Sequence, residues 1–322
     1  MKDTVAPILE VERLKKHFLS YQGFFRRSAD VVRAVDGVDL QILPNQTLGL
    51  VGESGCGKTT VARLILRLLL PDDGRIRFNG KEISGLNERQ FRPMRKQMQM
   101  IFQDPYSSLN PRMTVSQSIG EGVRIAGISD RTKQRLRIKA LLEMVGMPSA
   151  SVDRYPHEFS GGQRQRIGIA RALSVSPRLI LCDEPISALD VSIQAQIINL
   201  LKDLQAELGL SYLFISHDLN VVSYICDAVN VMYRGRIVES APAGVLFDDP
   251  RHPYTLKLLA AAPGEKDHSW TDHSLSKQQK KKLESTCPFA DQCINVSDEC
   301  EQEDQLLHEV APNHLVRCAK TR

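Results

Sequence analysis

The sequence predicts an α/β fold built around a mostly parallel sheet, and three observations support this prediction. Short apolar segments that favour strands alternate with segments whose apolar residues recur at helical spacing. A longer helical stretch, at about residues 105–174, separates two strand-rich stretches and is typical of an inserted subdomain. A glycine-rich segment at residues 52–57 joins an apolar strand to a helix, an arrangement that is common in α/β folds.

The individual elements follow from apolar patterning and from residues that begin or interrupt helices. The helical stretch offers Ser116, Asp130 and Ser160 as helix N-caps. A turn is expected at residues 234–235, and the regular pattern fades from Pro242 onward, where a basic run at residues 277–282 predicts a solvated linker. Strands are predicted at residues 8–18, 31–42, 46–51, 75–78, 97–102, 179–181, 212–215 and 229–233.

The composition excludes some classes of protein. The chain has 322 residues, of which 42% are hydrophobic and 25% charged, so a packed core is expected and wholesale disorder is not. A net charge of +4 gives no reason to expect nucleic acid as a partner. The richest apolar run, residues 61–70, contains Arg63 and Arg67 and is interpreted as a buried helix. The N-terminus lacks the pattern of a secretory signal, so we expect any role at a membrane to depend on a partner.

The segment from residue 52 to residue 59 fits the pattern G-x-x-x-x-G-K-[ST] between a strand and a helix. Glycines allow a tight loop whose amides face phosphate oxygens, and the helix N-terminus adds partial positive charge. Lys58 is expected to reach the β- and γ-phosphates, and the Thr59 hydroxyl is expected to bind Mg²⁺. The alternative is a chance match in a glycine-rich turn. The predicted nucleotide-binding residues here are Gly52, Glu53, Ser54, Gly55, Cys56, Gly57, Lys58, Thr59 and Thr60.

Polar side chains follow three predicted strands. Asp183 ends one apolar strand and is expected to hold Mg²⁺ through water, and Glu184 is expected to activate the attacking water as a general base. Gln103 follows another strand and is expected to bind Mg²⁺ or water. His217 is a candidate sensor of the γ-phosphate. The alternatives are an ordinary strand-ending turn for the acids and a structural role for the histidine.

The chain has seven cysteines, and four of them cluster near its end. Because a reducing compartment is expected in the absence of a secretory signal, clustered thiols favour metal binding over disulfides. Four thiolates can hold Zn²⁺ or an iron–sulfur cluster, and His308 or His314 could replace a thiolate in a zinc site. The absence of any metal is the third alternative. The four cysteines are Cys287, Cys293, Cys300 and Cys318.

The segment from Phe159 to Gln163 resembles the signature loop of the ABC ATPases, although the family usually has leucine where Phe159 stands. The motifs at residues 52–59, 103, 160–163, 183–184, 187–190 and 217 occur in the family order over about residues 8–240. The resemblance implies a P-loop NTPase with an antiparallel N-terminal β-subdomain, an inserted helical subdomain and a cysteine-rich extension. It also implies an ATPase domain at residues 1–245, an extension at 246–322 and a metal-cluster segment at about 285–320.

The resemblance further implies that two ATPase subunits sandwich two ATP molecules head to tail. Each site would combine the phosphate loop of one chain, residues 52–59, with the signature loop of the other chain. Asp190 would also contribute to the site. Phe18 lies where the family places an aromatic residue that stacks on adenine, with a core phenylalanine as the alternative. The signature residues assigned to nucleotide are Ser160, Gly161, Gly162 and Gln163.

Residues 102–111, 154–157 and 250–255 resemble the oligopeptide/dipeptide importer ATPases, and residues 163–166 and 187–192 resemble the second ATPase subunit of their heterodimeric motor. This likeness implies a second homologous ATPase, two transmembrane permease subunits, an extracytoplasmic substrate-binding protein and a peripheral position at the cytoplasmic face of the bacterial inner membrane. Importers of nickel and other small solutes share the pattern. Family members carry a similar terminal Cys-Pro-Phe cluster that binds [4Fe–4S], so this cluster is expected, with Zn²⁺ as the alternative.

Two other functions of ABC ATPases are alternatives to import. ABC ATPases that act on DNA usually carry a long coiled-coil or zinc-bearing insertion between the phosphate loop and the signature loop, and no long heptad run is found here. Ribosome-associated ABC proteins normally have two cassettes, whereas this sequence has one phosphate-binding motif. We therefore expect no nucleic acid partner, and expect residues 105–112 and the helical insert to bind membrane subunits.

Overall fold

The computed structural model describes residues 5–22, 28–104, 108–261, 287–302 and 305–321. It divides into two compact units. The insert unit consists of the described residues within Met1–Ile8, Ile42–Thr47 and Phe78–Ile215. The loop unit consists of the described residues within Leu9–Gln41, Leu48–Arg77 and Ser216–Arg322.

Strands and helices alternate along most of the chain, as the sequence predicts. The strands are β1 (Leu9–Gln22), β2 (Ser28–Ile42), β3 (Thr47–Val51), β4 (Asp73–Phe78), β5 (Lys81–Glu82), β6 (Met98–Ile101), β7 (Leu179–Asp183), β8 (Ser211–Ser216), β9 (Ala228–Tyr233), β10 (Arg236–Pro242), β11 (His308–Ala311) and β12 (His314–Val316). The helices are α1 (Lys58–Ile65), α2 (Glu88–Arg95), α3 (Val115–Ile125), α4 (Arg131–Met144), α5 (Gly161–Leu173), α6 (Val191–Leu208), α7 (Leu219–Ile225), α8 (Ala243–Asp248), α9 (Pro253–Ala260) and α10 (Glu299–Gln302). Each strand expected from the sequence is present, and the α/β fold is confirmed.

In the insert unit, β6, β7 and β8 are parallel neighbours. Met98 pairs with Leu179, and Leu179 pairs with Ser211. β7 and β8 are buried along their whole length, which explains their uninterrupted apolar sequences, because a parallel sheet is covered on both faces. The carboxyl ends of β6 and β7 therefore bring the residues that follow them to one edge of the sheet.

Several helices of the insert unit, α3 and α4 among them, begin at side-chain caps. Asp130 accepts a hydrogen bond from the Lys133 amide at 2.8 Å, which confirms this predicted cap. The prediction of Ser116 as a cap is wrong, because α3 begins one residue after Thr114. The Thr114 hydroxyl accepts from the Gln117 amide and the Gln117 side chain accepts from the Thr114 amide, so this capping box satisfies two amides that Ser116 would leave unpaired.

In the loop unit, five strands lie in the order β11-β12-β10-β9-β3. β3 and β9 are parallel, whereas β9 and β10 form an antiparallel hairpin around the predicted turn at residues 234–235. β12 adds to β10 in the antiparallel direction, and β11 adds to β12. The N-terminal strands β2, β1 and β4 are neighbours in a separate sheet, which is antiparallel as expected.

The expectation that regular structure fades after Pro242 is wrong for the described residues. Helices α8 and α9 follow at once, and β11 and β12 join the sheet near the end of the chain. These elements have three to eight residues. Elements that short give little apolar periodicity in a sequence. The predicted linker at residues 277–282 lies outside the described residues.

The described helices do not meet the requirements of a membrane span. Among the described residues, no helix combines the length and the low polarity that crossing a bilayer requires. The longest of the named helices, α6, has 18 residues and includes Lys202, Asp203 and Glu207.

Candidate functional site

The loop between β3 and α1 has a backbone that requires glycine at two positions. Gly57 has a φ of 115° and Gly52 a φ of 149°. A β-carbon at Gly57 would collide with the Ala34 carbonyl oxygen, and one at Gly52 would collide with the Met232 carbonyl oxygen. α1 then begins directly after Gly57 without a side-chain cap. Such a helix start favours an anion, and phosphate above all.

Lys58 is buried at this loop, with 5% of its surface exposed. Its Nζ donates hydrogen bonds to the carbonyl oxygens of Gly52 at 2.7 Å and Glu53 at 2.9 Å. An ammonium group forms a stronger, charge-assisted bond with a phosphate than with a neutral carbonyl. The lysine is therefore held where an incoming phosphate can compete for it.

Two further contacts hold the loop from outside. The Gly235 amide donates to the Cys56 carbonyl at 2.9 Å, and the Glu53 amide donates to the Tyr254 hydroxyl at 2.8 Å. Burial raises the pKa of the Cys56 thiol, and nearby Lys58 offsets this only in part. Sequence reasoning missed Tyr254, because nothing local to its segment signals a contact with residue 53.

The acidic residues lie at the carboxyl edge of the strands in the insert unit. Asp183 ends β7 and is buried, with 5% exposure. Gln103, beyond β6, donates its Nε2 to Glu184 Oε2 at 3.0 Å, so the structure brings together two residues that the sequence selected separately. A carboxylate at the carboxyl edge of a parallel sheet is suited to binding a cation. Carboxylate and hydroxyl oxygens are the ligands that Mg²⁺ prefers.

Glu184 has an unusual backbone conformation for a residue with a side chain. Its φ is 47°, in the left-handed region. This conformation costs on the order of 1 kcal/mol or more, and such strain concentrates at active sites. The Glu184 amide donates to the Ile215 carbonyl at 3.0 Å, and the Ser187 hydroxyl donates to the Glu184 carbonyl at 3.1 Å. These bonds hold the backbone of Glu184 at both its amide and its carbonyl.

The signature loop opens helix α5. Ser160 is the N-cap, as predicted: its hydroxyl accepts from the Gln163 amide, and the Gln163 side chain accepts from the Ser160 amide at 3.0 Å. A β-carbon at Gly162 would come within 2.5 Å of Ile193 Cγ2, so glycine permits the close approach of α6. Asp190 is the N-cap residue of α6, is exposed and makes no capping bond with its side chain.

His217 and Phe18 lie in the loop unit. His217 follows β8 and is exposed, and Asp218 caps the next helix by accepting from the Asn220 amide at 3.0 Å. Phe18 is 39% exposed on β1, with Lys16 Nζ 5.7 Å from the centre of its ring. This exposure disfavours the alternative of a core phenylalanine. Adenine stacking by Phe18 stays a prediction.

The pKa values of several of the terminal cysteine thiols are raised. Burial, reinforced by the other three thiols, raises the pKa of Cys293 to about 11. Burial also raises the pKa values of Cys287 and Cys318. Within the described ranges, however, no three His, Cys, Asp or Glu side chains are grouped so that they could hold a metal ion. The predicted iron–sulfur cluster is therefore not supported by the placement of these thiols.

His314, the suggested substitute zinc ligand, is part of a different arrangement. Its Nε2 lies 2.7 Å from Oε1 of the fully buried Glu239. The same carboxylate accepts from the backbone amides of Arg251 at 2.7 Å and His252 at 2.9 Å. Glu239 thus ties β10 to β12 and to the start of α9, which orders the segment that carries Tyr254.

His252 makes this segment sensitive to acid. Burial lowers the pKa of His252 to about 3, and a backbone hydrogen bond with Arg317 offsets this only in part. Its neutral Nδ1 accepts from the Tyr254 amide at 3.0 Å. In the unfolded chain this histidine has a pKa of about 6.5, so between pH 6.5 and pH 3 the unfolded chain binds a proton that the folded chain does not. The stability contributed by neutral His252 is therefore present above about pH 6.5 and is lost as the pH falls toward 3.

We expect the free energy of unfolding to fall by about 2 kcal/mol between pH 7 and pH 5 on account of His252 alone. The variant His252→Asn keeps an acceptor for the Tyr254 amide but has no proton to bind, so this part of the pH dependence should vanish. Denaturant unfolding of both proteins at pH 7 and pH 5 measures the difference. Equal pH dependence in the two proteins would contradict the prediction.

Two protein-family profiles match this chain, and their matched residues include the phosphate loop and the signature loop. The profile of the ABC transporter family matches residues 35–187, and the profile of the oligopeptide/dipeptide transporter C-terminal region matches residues 238–300. The oligopeptide transport ATP-binding protein OppF of Bacillus subtilis is 54% identical over 258 residues, which are 80% of this chain and 82% of that protein. A putative peptide import ATP-binding protein of Brucella ovis is 46% identical over 320 residues, 98% and 99% of the two chains.

Solved structures of ATP-binding cassettes share the fold. The dimeric structure of the cassette MJ0796 in a post-hydrolysis state with ADP and Pi has a TM-score of 0.65 at 25% identity, covering 73% of this chain and 98% of that one. The structure of cbiO1 from Clostridium perfringens has a TM-score of 0.65 at 26% identity, covering 79% and 94%. The phosphate loop, the signature loop and these matches together place the chain in the ABC transporter family, among its ATP-hydrolysing subunits that carry the oligopeptide/dipeptide transporter C-terminal region.

Proposed function

We propose that this chain binds and hydrolyses ATP to power the import of di- or oligopeptides through an ABC transporter. The observation that carries the proposal is the loop at residues 52–57, where three glycines with positive φ lead into a helix start without a side-chain cap, beside the buried Lys58. The names of the relatives, oligopeptide transport and peptide import ATP-binding proteins, support the peptide cargo.

The phosphate loop is proposed to hold the triphosphate through the amides of Gly52 to Thr60, and Phe18 to stack on adenine. Lys58 exchanges its carbonyl partners for the β- and γ-phosphates. Mg²⁺, when bound with ATP, neutralises developing charge on the phosphate oxygens. Thr59 supplies a hydroxyl to it, and Asp183 a carboxylate through water.

Glu184 is proposed to accept a proton from the attacking water. Its fixed peptide and its hydrogen bond from Gln103 limit the directions in which the carboxylate can point, and such positioning is a large part of catalysis of phosphoryl transfer. Gln103 is also suited to contact Mg²⁺ or water. His217 is proposed to contact the γ-phosphate, which its exposure permits.

A second, homologous ATPase subunit is proposed to complete each nucleotide site. The exposed Ser160 and the start of α5, from Gly161 to Gln163, would face the γ-phosphate of ATP held by the partner, and Asp190 would lie at the same interface. The dimeric state of the MJ0796 cassette supports this arrangement. The dimer is proposed to be heterodimeric, with this chain as the second ATPase subunit.

The remaining partners are proposed to be two permease subunits and an extracytoplasmic substrate-binding protein. This chain would then be peripheral, at the cytoplasmic face of the bacterial inner membrane. We propose residues 108–112 and helices α3 to α5 as the permease-binding surface; residues 105–107 lie outside the described residues. The ATPase domain is proposed to span residues 1–245, and the extension residues 246–322.

Cargo is tested by reconstituting the purified membrane complex in vesicles. We expect ATP-dependent accumulation of labelled di- or oligopeptides, and expect nickel to be ignored. Accumulation of nickel or another small solute without peptide would favour the alternative importer. Copurification with nucleic acid or ribosomes, without permease subunits, would overturn the proposal.

The four terminal cysteines are proposed to bind a [4Fe–4S] cluster, with Zn²⁺ as the alternative. The donor chemistry and the mutual influence of the thiols support the proposal, whereas their described placement does not form a metal-binding group. A bound cluster would cross-link the segment at about residues 285–320, because four thiolates from distant positions would share one centre.

Replacing Cys293 by serine is expected to remove the brown colour of protein purified without oxygen, because one of four thiolate ligands is lost. Visible absorbance and iron analysis of the full chain measure this. The matched control Cys226→Ser alters another buried cysteine outside the cluster and should leave the colour unchanged. A colourless wild-type protein that contains zinc favours the zinc alternative, and one without metal contradicts both.

A further inference from the structure

Tyr254 reaches the phosphate loop from the C-terminal part of the chain. Its hydroxyl accepts the Glu53 amide hydrogen at 2.8 Å, and its side chain is fully buried. The carbonyl of the same Glu53 accepts from Lys58 Nζ at 2.9 Å and from the Cys56 amide at 3.3 Å. The tyrosine therefore holds a residue on which both the lysine and the fold of the loop depend.

An aromatic cluster holds the Tyr254 ring in place. The ring centre of Tyr233 lies 4.5 Å away, and that of Phe289 lies 5.5 Å away in an edge-on arrangement. Phe289 also meets Tyr233 edge-on at 5.3 Å and is 1% exposed. Such pairs contribute about 0.5–1.5 kcal/mol beyond the burial of their surface. Phe289 follows Cys287 by two residues. The segment at about residues 285–320 that carries the four terminal cysteines, called the cysteine segment below, therefore supplies one wall of the site that holds Tyr254.

Tyr233 provides an internal comparison. Its ring belongs to the same cluster, but its hydroxyl accepts from Gln292 Nε2 at 3.3 Å and not from the loop. Replacement by phenylalanine removes the hydroxyl and keeps the ring at either position. We expect the loop to lose a hydrogen bond when Tyr254 is replaced and to keep all its bonds when Tyr233 is replaced.

We propose that Tyr254 is a positioning residue for ATP binding and that Phe289 holds it against the phosphate loop, so that the C-terminal cysteine segment sets the affinity of the loop for nucleotide. The proposal rests on the proposed binding of ATP at Gly52 to Thr60. The physical reason is preorganisation: without the hydroxyl the Glu53 peptide can rotate, and ATP binding must then restrict it again. The bond is already present without nucleotide and lies away from the reacting atoms, so we expect its loss to weaken ground-state and transition-state binding alike.

The first test compares Tyr254→Phe with Tyr233→Phe in the full chain. We expect the dissociation constant for ATP, measured by calorimetry, to rise about fivefold in Tyr254→Phe. In the transporter complex, KM for ATP should rise by the same factor with kcat unchanged, a split that general destabilisation would not produce. Tyr233→Phe should match the wild type in both measurements. Wild-type affinity in Tyr254→Phe, or equal losses in the two variants, would overturn the proposal.

The second test concerns the cysteine segment. Phe289→Leu removes the ring that supports Tyr254, so ATP affinity should fall about twofold to threefold. In the double variant with Tyr254→Phe the affinity should fall no further than in Tyr254→Phe alone, because the ring position no longer matters to the loop. Additive losses would overturn the role of Phe289.

Lys58→Ala separates this proposal from the proposed ATP site. If the wild type fails to bind ATP or Lys58→Ala binds it equally well, the proposed site is wrong. If Lys58→Ala loses ATP while Tyr254→Phe keeps full affinity, the site is right and the positioning role is wrong.

Discussion

Glu184→Gln is expected to stop ATP turnover while ATP still binds. The amide has nearly the shape of the carboxylate but cannot accept the proton of the attacking water, and a general base typically contributes at least about 100-fold in rate. Its oxygen can still accept the hydrogen bond from Gln103, so the left-handed peptide should be kept. Phosphate release by the transporter complex and ATP titration of the chain measure the two effects.

The control for this substitution is Glu207→Gln, which makes the same chemical change at an exposed position on α6. It should leave turnover unchanged. Turnover at the wild-type rate in Glu184→Gln would remove Glu184 from the role of general base. A joint loss of turnover and ATP binding would show that the substitution disturbs the site and does not test the chemistry.

Lys58→Ala is expected to weaken ATP binding by roughly 10-fold to 150-fold, because hydrogen bonds to a charged group contribute about 1.5–3 kcal/mol. The fold should persist, since in the described part of the chain the only bonds of Lys58 Nζ with main-chain oxygens are those with the carbonyls of Gly52 and Glu53, within its own loop. Calorimetric titration with ATP measures the affinity, and thermal unfolding without nucleotide checks the fold.

Lys81→Ala is the matched control, because Lys81 is exposed and lies outside the loop. It should bind ATP as the wild type does. Unchanged affinity in Lys58→Ala would mean that the triphosphate binds elsewhere, and the proposed site would then be abandoned.

The parts of the fold that sequence predicts are those with a local cause. The strand before Gly52 is mostly apolar and buried along its length, and the helix after Gly57 begins directly at Lys58. Both features can be read from neighbouring residues. The cap at Ser160 is local in the same way, because its partner Gln163 lies three residues on.

The parts that sequence reasoning missed depend on distant residues or on short elements. The left-handed peptide of Glu184 is held by Ile215, and no sequence rule assigns a positive φ to a glutamate. Tyr254 meets Glu53 across some two hundred positions of the chain. Strand β12, with three residues, exists because β10 offers it hydrogen bonds. Only the folded chain brings such pairs together.

We propose that two ATPase subunits grip one ATP, with the amides near Gly57 of one subunit on one side and the amides near Gly161 of the other subunit on the other side. The most direct measurement is sedimentation of Glu184→Gln, mixed with the proposed partner ATPase, with and without MgATP. ATP should convert separate subunits into a stable pair, and Lys58→Ala in the same background should prevent this. Subunits that remain separate at saturating ATP, or pair equally well without it, would contradict the account.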